Sequence, residues 1–199
     1  GLYDHVVFFD FTSMYGSVIV TYNLSQSTFL TKKEKDSFSV DIGEGIVYFS
    51  KKKGFFAEML EDFIQKRKEY KKALHTHPDP LIKARSNAFK LLTNASYGYL
   101  GFFGARYYCR EAAAAAAALA RKSIHETIAF IEQKKYKIIY SDTDSIAFLQ
   151  GGKTKDDVNH LLQEINTKLP GIMELDLEGF YQRGIWVTKR TGDIGAKKK

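Results

Sequence analysis

The hydrophobic and polar positions of this chain follow two periods, one typical of strands and one typical of helices. Residues 5–11 form a short apolar run ending near an acid, Asp10, which predicts a buried strand, and a helix is predicted over 13–22. Residues 55–75 carry apolar side chains at three- and four-residue spacing, which predicts an amphipathic helix. Short strands through 48–49 are predicted between these two helices.

The same periods continue through the rest of the chain. A second long helix is predicted over 81–97, with Gly98 as its C-cap. A third, which contains a run of consecutive alanines, is predicted over 111–132, because alanine is the best helix former. A further helix near 155–169 and a final strand pair over 172–188 follow. Strands and helices interleave on an antiparallel pattern, so the predicted fold class is α+β.

Two β-prone runs, 136–140 and 146–149, flank a short polar connection and predict a β-hairpin. Its tip carries Asp142 and Asp144. An ordinary Asp-rich turn would give the same pattern. Asp10, at the end of another predicted strand, favours a second interpretation, in which carboxylates hold two metal ions for phosphoryl transfer. Taken alone, Asp10 fits equally well as the N-cap of the following helix.

Composition narrows the class of protein. The 199 residues are 44% hydrophobic and carry a formal net charge of +7, which allows a sizeable core and favours a polyanionic partner. The single Cys109 excludes an intramolecular disulfide. No apolar run approaches the ~20 residues that span a bilayer, so no membrane partner is expected. Both ends look like cuts through a larger protein.

Two predicted helix faces carry side chains suited to a nucleotide. Arg67 and Lys71 lie four residues apart, and Lys90, Asn94 and Tyr97 follow at four- and three-residue spacing. Cationic side chains bind phosphate oxygens, and a tyrosine ring offers a flat surface for a base or sugar. A basic face exposed only to solvent would have the same composition, and both interpretations stay open on spacing alone.

Three motifs in order resemble those of family B DNA polymerases. Residues 10–19, Asp-Phe-Thr-Ser-Met-Tyr-Gly-Ser-Val-Ile, look like the first palm motif of that family. Residues 90–98 resemble its fingers motif, and residues 140–145 resemble its second palm motif. Segments 178–181 and 187–190 look like the strand region that approaches the thumb. The resemblance covers almost the whole chain and leans toward the archaeal branch.

The resemblance implies an antiparallel-sheet polymerase palm with an inserted helical-hairpin fingers subdomain. The palm would comprise 1–50 and 99–199, the fingers 51–98, and the chain would stop before the thumb. The implied activity is DNA-directed DNA polymerisation, the template-directed addition of dNTPs to a primer 3′-hydroxyl by two-metal phosphoryl transfer. An archaeal-like origin would place the protein in the cytoplasm with the nucleoid.

The resemblance also assigns site residues. The implied catalytic residues are Asp10, Asp142 and Asp144. Two Mg²⁺ ions, for which Mn²⁺ can substitute, would be held by Asp10, Asp144 and the Phe11 carbonyl, while Asp142 would lie beside the primer end. The implied DNA-binding residues are Lys189, Lys198 and Lys199.

The implied nucleotide-binding set is Ser13, Met14, Tyr15, Arg67, Lys71, Lys90, Asn94 and Tyr97. Arg67 and Lys90 would bind the triphosphate, helped by Asn94 and by backbone amides near Ser13 and Met14, and more weakly by Lys71. Tyr15 would lie under the deoxyribose and exclude a 2′-hydroxyl. Tyr97 would face the nascent base pair.

Two departures from the family pattern bear on function. Gly16 stands where the family usually has Pro, which predicts a looser strand-to-helix turn. From the resemblance, an amino-terminal domain, exonuclease and thumb are not expected within these 199 residues, so weak, salt-sensitive binding of primer-template DNA is expected. A complementary fragment or subunit carrying thumb and exonuclease is therefore an expected partner. The alternatives are a weak or inactive polymerase-like DNA-binding subunit, half of a split polymerase, or an RNA-copying palm, against which Tyr15 argues.

Overall fold

The computed structural model describes residues 1–187, in which helices alternate with antiparallel strands. The elements of this part of the chain, in order, are β1 (Leu2–Phe11), α1 (Met14–Thr21), β2 (Phe29–Leu30), β3 (Ser37–Asp41), β4 (Ile46–Ser50), α2 (Phe55–Thr76), α3 (Pro80–Gly101), α4 (Arg110–Gln133), β5 (Lys137–Asp142), β6 (Ser145–Leu149), α5 (Lys155–Lys168) and β7 (Leu175–Ile185). The strands pair antiparallel throughout these residues, which confirms the α+β expectation. The chain divides into two compact units.

The first unit is built around a four-stranded sheet. It comprises residues 1–11, 124–168 and the described residues from 175 onward, and its strand order is β5-β6-β1-β7. The central strand β1 buries Phe9 and Phe11 almost completely, because alternate side chains of a strand share one face. Asp10, between them, is half-buried and belongs to the opposite face.

The second unit is mainly helical. It comprises residues 12–123 and 169–174 and contains a small sheet of order β2-β4-β3. Three residues connect α2 to α3, and the side chain of the last of them, Asp79, accepts a hydrogen bond of 2.7 Å from the backbone N–H of Leu81. This N-cap and Pro80 at the first helical position start α3 sharply. The Phe89 ring of α3 packs against Phe63 and Tyr70 of α2, so the helical hairpin is held by apolar contacts.

Several local predictions are confirmed and two are wrong. The long helices and the 140–145 hairpin form as expected. Gly98 is not a C-cap, because α3 continues to Gly101 and buries Leu100 completely. The expected strand pair over 172–188 is, within its described residues, the single strand β7. It pairs along β1 with a register shift between Phe8 and Phe9, where Glu178 of β7 is the extra residue.

Two further observations bear on the sequence-based expectations. Within residues 1–187, no helix combines the length and apolarity that crossing a membrane would require. The alanine run lies in α4, where Ala112, Ala115 and Ala116 are fully buried. Their three- and one-residue spacing marks one face of a helix, and small side chains there permit close packing.

Candidate active site

The β5–β6 hairpin holds two carboxylates on a two-residue turn. Asp142 ends β5, and Asp144 lies in the turn, where its backbone N–H donates to the Asp142 carbonyl with an N···O distance of 2.7 Å. Thr143, between them, has φ 54°, an uncommon conformation for a β-branched residue. Its hydroxyl donates to Asp142 Oδ1 at 3.1 Å. The turn therefore orients Asp142 by a side-chain hydrogen bond as well as by the backbone.

Asp10 lies on β1, the strand next to β6, close to the hairpin turn. It is paired with Ser145 of β6, the residue that follows Asp144. The Phe11 N–H donates to the Asp144 carbonyl at 2.8 Å, so the end of β1 is joined to the hairpin turn. In an antiparallel ladder the N–H and C=O of a residue point to the same side. This geometry predicts the Phe11 carbonyl on the hairpin side, while the Asp144 N–H already donates to the Asp142 carbonyl.

A cleft of about 590 Å³ brings the three predicted catalytic residues together in the first unit. Asp10, Asp142 and Asp144 all line it. Each of the three residues is half-buried.

The cleft also contains residues that the sequence analysis did not assign to a site. These additional lining residues include Phe8, Tyr140, Glu178, Tyr181 and Trp186. The Trp186 ring stacks on Phe8 at a centroid distance of 5.9 Å and lies 6.0 Å from Tyr140. Two-residue alternation could have found two of them, because Phe8 shares a strand face with Asp10, and Tyr140 with Asp142. One wall of the cleft is therefore aromatic and another is acidic.

The donor set on this cleft fits a hard divalent cation in part. Asp10 and Asp144 line the cleft and carry carboxylate oxygens, the ligand type that Mg²⁺ prefers. Phe11, whose carbonyl was the third expected ligand, is 1% exposed and is not among the lining residues. Among residues 1–187, no group of three or more His, Cys, Asp or Glu side chains is arranged to hold a metal ion. Water and substrate oxygens would have to complete the shell, which is usual for Mg²⁺.

In the second unit, an arginine is bound at the start of α1. Ser13 precedes this helix with φ 48° and ψ 50°, and its side chain makes no capping hydrogen bond to the helix backbone. Instead, its Oγ accepts a hydrogen bond of 2.6 Å from Arg67 Nη1 of α2. A helix N-terminus favours anions through its N–H groups and dipole. The contact thus places a guanidinium beside that terminus, whereas Met14, the first residue of α1, is buried.

Tyr15 and Tyr97 form one stack in the second unit. Their ring centroids are 4.1 Å apart and their planes differ by 18°. On α3, Lys90 and Asn94 are exposed and Tyr97 is half-buried, so the predicted face is accessible. Lys71 is also exposed, one turn beyond Arg67 on α2.

The structure therefore connects four predicted nucleotide-binding residues by direct contact and leaves others exposed on the same helices. The contacts are Ser13 with Arg67, and Tyr15 with Tyr97. The predicted DNA-binding residues Lys189, Lys198 and Lys199 lie outside the described residues.

Comparison with known proteins gives consistent matches. The model of the family described as DNA polymerase family B matches residues 1–191. The DNA polymerase of Thermococcus gorgonarius is 38% identical, aligning with 96% of this chain and 26% of its own length. The DNA polymerase of Thermococcus sp. (strain 9oN-7) is 37% identical, with the same coverage. The chain spans about a quarter of the length of these curated relatives.

A solved structure is similar as well. The family B DNA polymerase from the hyperthermophilic archaeon Pyrobaculum calidifontis superposes with a TM-score of 0.74 at 30% sequence identity. The match covers 92% of this chain and 24% of that protein. The likeness in fold thus extends over nearly the whole chain.

Proposed function

Because the chain belongs to DNA polymerase family B, we propose that it carries the palm and fingers of a DNA-directed DNA polymerase. The reaction is template-directed addition of a dNTP to a primer 3′-hydroxyl. One observation carries the proposal: Asp10, Asp142 and Asp144 line a single cleft at the ends of adjacent strands. Phosphoryl transfer needs such carboxylates, since positioning and charge stabilisation supply most of its catalysis.

In the proposed reaction, the primer 3′-oxygen bonds to the α-phosphorus of the dNTP. The bond from that phosphorus to the bridging oxygen breaks, and pyrophosphate leaves. Two divalent ions, held by Asp10, Asp144 and the Phe11 carbonyl, would supply activation of the hydroxyl and neutralisation of the triphosphate charge. Asp142, oriented by Thr143, lies beside the primer end and has a lesser role.

The second unit's residues bind the incoming nucleotide in this proposal. Arg67 and Lys90 contact the triphosphate, and Asn94, Lys71 and backbone amides at the start of α1 add to the binding. The 2.6 Å contact between Arg67 and Ser13 supports this assignment, because a guanidinium held at a helix N-terminus provides both charge and N–H donors for phosphate.

Primer extension tests the proposal directly. The purified chain is incubated at low salt with Mg²⁺, a labelled primer-template and dNTPs, with and without a thumb-containing polymerase fragment. Low salt is needed because phosphate contacts dominate DNA affinity. Template-directed extension is the expected result. An Asp10→Asn/Asp144→Asn double variant, purified identically, controls for contaminating polymerase. DNA binding with no extension under either condition would overturn the proposal in favour of a binding module.

Arg67→Ala is expected to raise the KM for dNTP by roughly ten- to a hundredfold with a smaller change in kcat. The reason is that a charge-assisted hydrogen bond contributes about 1.5–3 kcal/mol, here equally in ground and transition states. Steady-state single-nucleotide insertion measures both constants. Arg85→Ala, an exposed arginine on α3, is the charge-matched control. Equal effects of the two variants would refute a specific role for Arg67.

Tyr15→Ala is expected to raise ribonucleotide incorporation relative to deoxyribonucleotide incorporation by on the order of tenfold to a hundredfold. Removing the ring takes away steric exclusion of the 2′-hydroxyl, while the carboxylates of the first unit are untouched. The measurement is the ratio of kcat/KM for rNTP and dNTP, compared with wild type. Tyr15→Phe, which keeps the ring, should leave the ratio within about twofold. An unchanged ratio in Tyr15→Ala would mean that the ring only fills space.

A further inference from the structure

The close approach of α1 and α3 depends on a glycine in α1. Gly16 is the third residue of α1 and is buried, so it lies inside the helix rather than in the strand-to-helix turn where a looser backbone was expected. A Cβ at Gly16 would lie 2.5 Å from Thr93 Cγ2 and 3.5 Å from the Thr93 carbonyl oxygen. Real Cβ contacts essentially never fall below 3.0 Å. The two helices approach this closely because position 16 has no side chain.

Thr93 cannot easily move out of the way. It is completely buried, and its hydroxyl donates to the Phe89 carbonyl one turn earlier at 2.8 Å. That hydrogen bond restricts the side-chain rotamer and so directs the methyl group at Gly16. The Thr93 carbonyl in turn accepts a 2.6 Å hydrogen bond from the Ser96 hydroxyl. Hydrogen bonds within α3 therefore fix the position from which Thr93 contacts Gly16.

The same crossing carries the tyrosine stack. Tyr15 directly precedes Gly16 on α1, and Tyr97 follows Thr93 by four residues, one turn further along α3. The rings stack at 4.1 Å. With a Cβ at position 16, the helices would have to separate by about 0.5 Å for the contact with Thr93 Cγ2 to reach 3.0 Å, and by about 0.9 Å for it to reach an ordinary 3.4 Å. A gap of that size forfeits a quarter to a half of a dispersion contact, so the stack would loosen.

We propose that Gly16 and Thr93 form a positioning pair: their contact fixes the distance at which the Tyr97 ring supports the Tyr15 ring. Through that distance the pair sets the discrimination between dNTP and rNTP. The inference rests on the proposed polymerase function, in which the Tyr15 ring excludes a 2′-hydroxyl. Neither Gly16 nor Thr93 touches the nucleotide. Their contact controls the separation of two helices, and that separation controls how firmly the excluding ring is held.

Three variants test the pair by single-nucleotide insertion with dNTP and rNTP. Gly16→Ala is expected to raise the rNTP-to-dNTP ratio of kcat/KM by about tenfold, since misplacement near 1 Å can change rates by up to about a hundredfold. Thr93→Ser keeps the hydroxyl, removes the methyl and should raise the ratio less. The Gly16→Ala/Thr93→Ser double variant moves the methyl from one helix to the other. It should return the ratio to within about twofold of wild type.

A matched control separates this effect from a general effect of alanine in a helix. Gly98 lies on α3 directly after Tyr97, and a Cβ there would meet nothing within 4 Å. Gly98→Ala should leave the ratio unchanged and raise the melting temperature, because glycine is a poor helix former. Gly16→Ala should lower the melting temperature, and the double variant should restore it.

The outcomes are distinct. If Gly16→Ala is too unstable to assay, the other two variants test the proposal. It is supported if the rNTP-to-dNTP ratio of kcat/KM is raised in Thr93→Ser and close to wild type in the Gly16→Ala/Thr93→Ser double variant. Wild-type discrimination in a folded Gly16→Ala overturns the proposal. If Gly16→Ala cannot be assayed, wild-type discrimination in Thr93→Ser overturns it, and in both cases the polymerase assignment stays intact. If the wild-type chain extends no primer with or without a thumb-containing fragment, the proposed function fails and this inference fails with it.

Discussion

Asn in place of Asp10 or Asp144 is expected to reduce primer extension by at least about a thousandfold, corresponding to ~4 kcal/mol of transition-state stabilisation. Asn keeps the size of the side chain but removes the negative charge that would hold the metal ions. Both residues line the same cleft and are joined through the backbone contact between Phe11 and Asp144. The loss should therefore be chemical rather than structural.

Two comparisons make this expectation specific. Asp142→Asn should cost less, because in the proposed reaction Asp142 lies beside the primer end and is not a shared metal ligand. Asp176 pairs directly with Asp10 on β7 but does not line the cleft, so Asp176→Asn is the matched control and should extend primers at near the wild-type rate.

Single-turnover extension with a titration of Mg²⁺ measures these effects, and thermal unfolding confirms that each variant folds. Extension at a wild-type rate by Asp10→Asn or Asp144→Asn would contradict the two-metal assignment. A loss in Asp176→Asn as large as that in Asp10→Asn would instead indicate a general electrostatic effect of this end of the sheet.

Lys90→Ala is expected to lower kcat/KM for dNTP on the order of a hundredfold or more, with losses in both kcat and affinity. The side chain is exposed on α3, on the face that includes Asn94 and Tyr97. In the proposed reaction its charge meets the triphosphate while negative charge moves onto the leaving pyrophosphate. An interaction that strengthens in the transition state raises kcat as well as binding.

The charge-matched control is Lys83→Ala, an exposed lysine seven residues earlier on the same helix. It removes the same charge about 10 Å further from the Tyr97 end of α3 and should change kcat/KM by less than about threefold. Stopped-flow incorporation separates the affinity from the rate of chemistry. If Lys90→Ala changes neither constant for dNTP but weakens binding of the template, the face of α3 that carries Lys90 binds DNA rather than the nucleotide.

Local features of the fold could be predicted from the spacing of apolar and polar residues along the chain. The apolar positions of 55–75 predicted α2, since helical period and burial agree there. The two β-prone runs around Asp142 and Asp144 predicted the hairpin, because a short polar connection between such runs is typical of a hairpin. The resemblance of the three motifs to family B polymerases is confirmed by the family match over residues 1–191.

The failures also have physical causes. Gly98 looked like a helix end, yet α3 continues beyond it, because burial of Leu100 outweighs the weak helix propensity of glycine. The segment after 172 looked like two strands, but pairing with β1 holds it in one. The extra residue, Glu178 of β7, is accommodated where the register shifts between Phe8 and Phe9. Propensity is a local quantity, and tertiary contacts overrode it in both places.

The sequence by itself determined the fold class, the long helices, the hairpin that carries Asp142 and Asp144, and the family. Only the tertiary structure decided that the Tyr15 ring stacks on Tyr97, that Arg67 binds Ser13, and that Gly16 is a packing position. These contacts join residues far apart in the chain, and they depend on how closely helices cross. The spacing of residues along one helix reports which face is apolar, but it carries no information about the distance to the next helix.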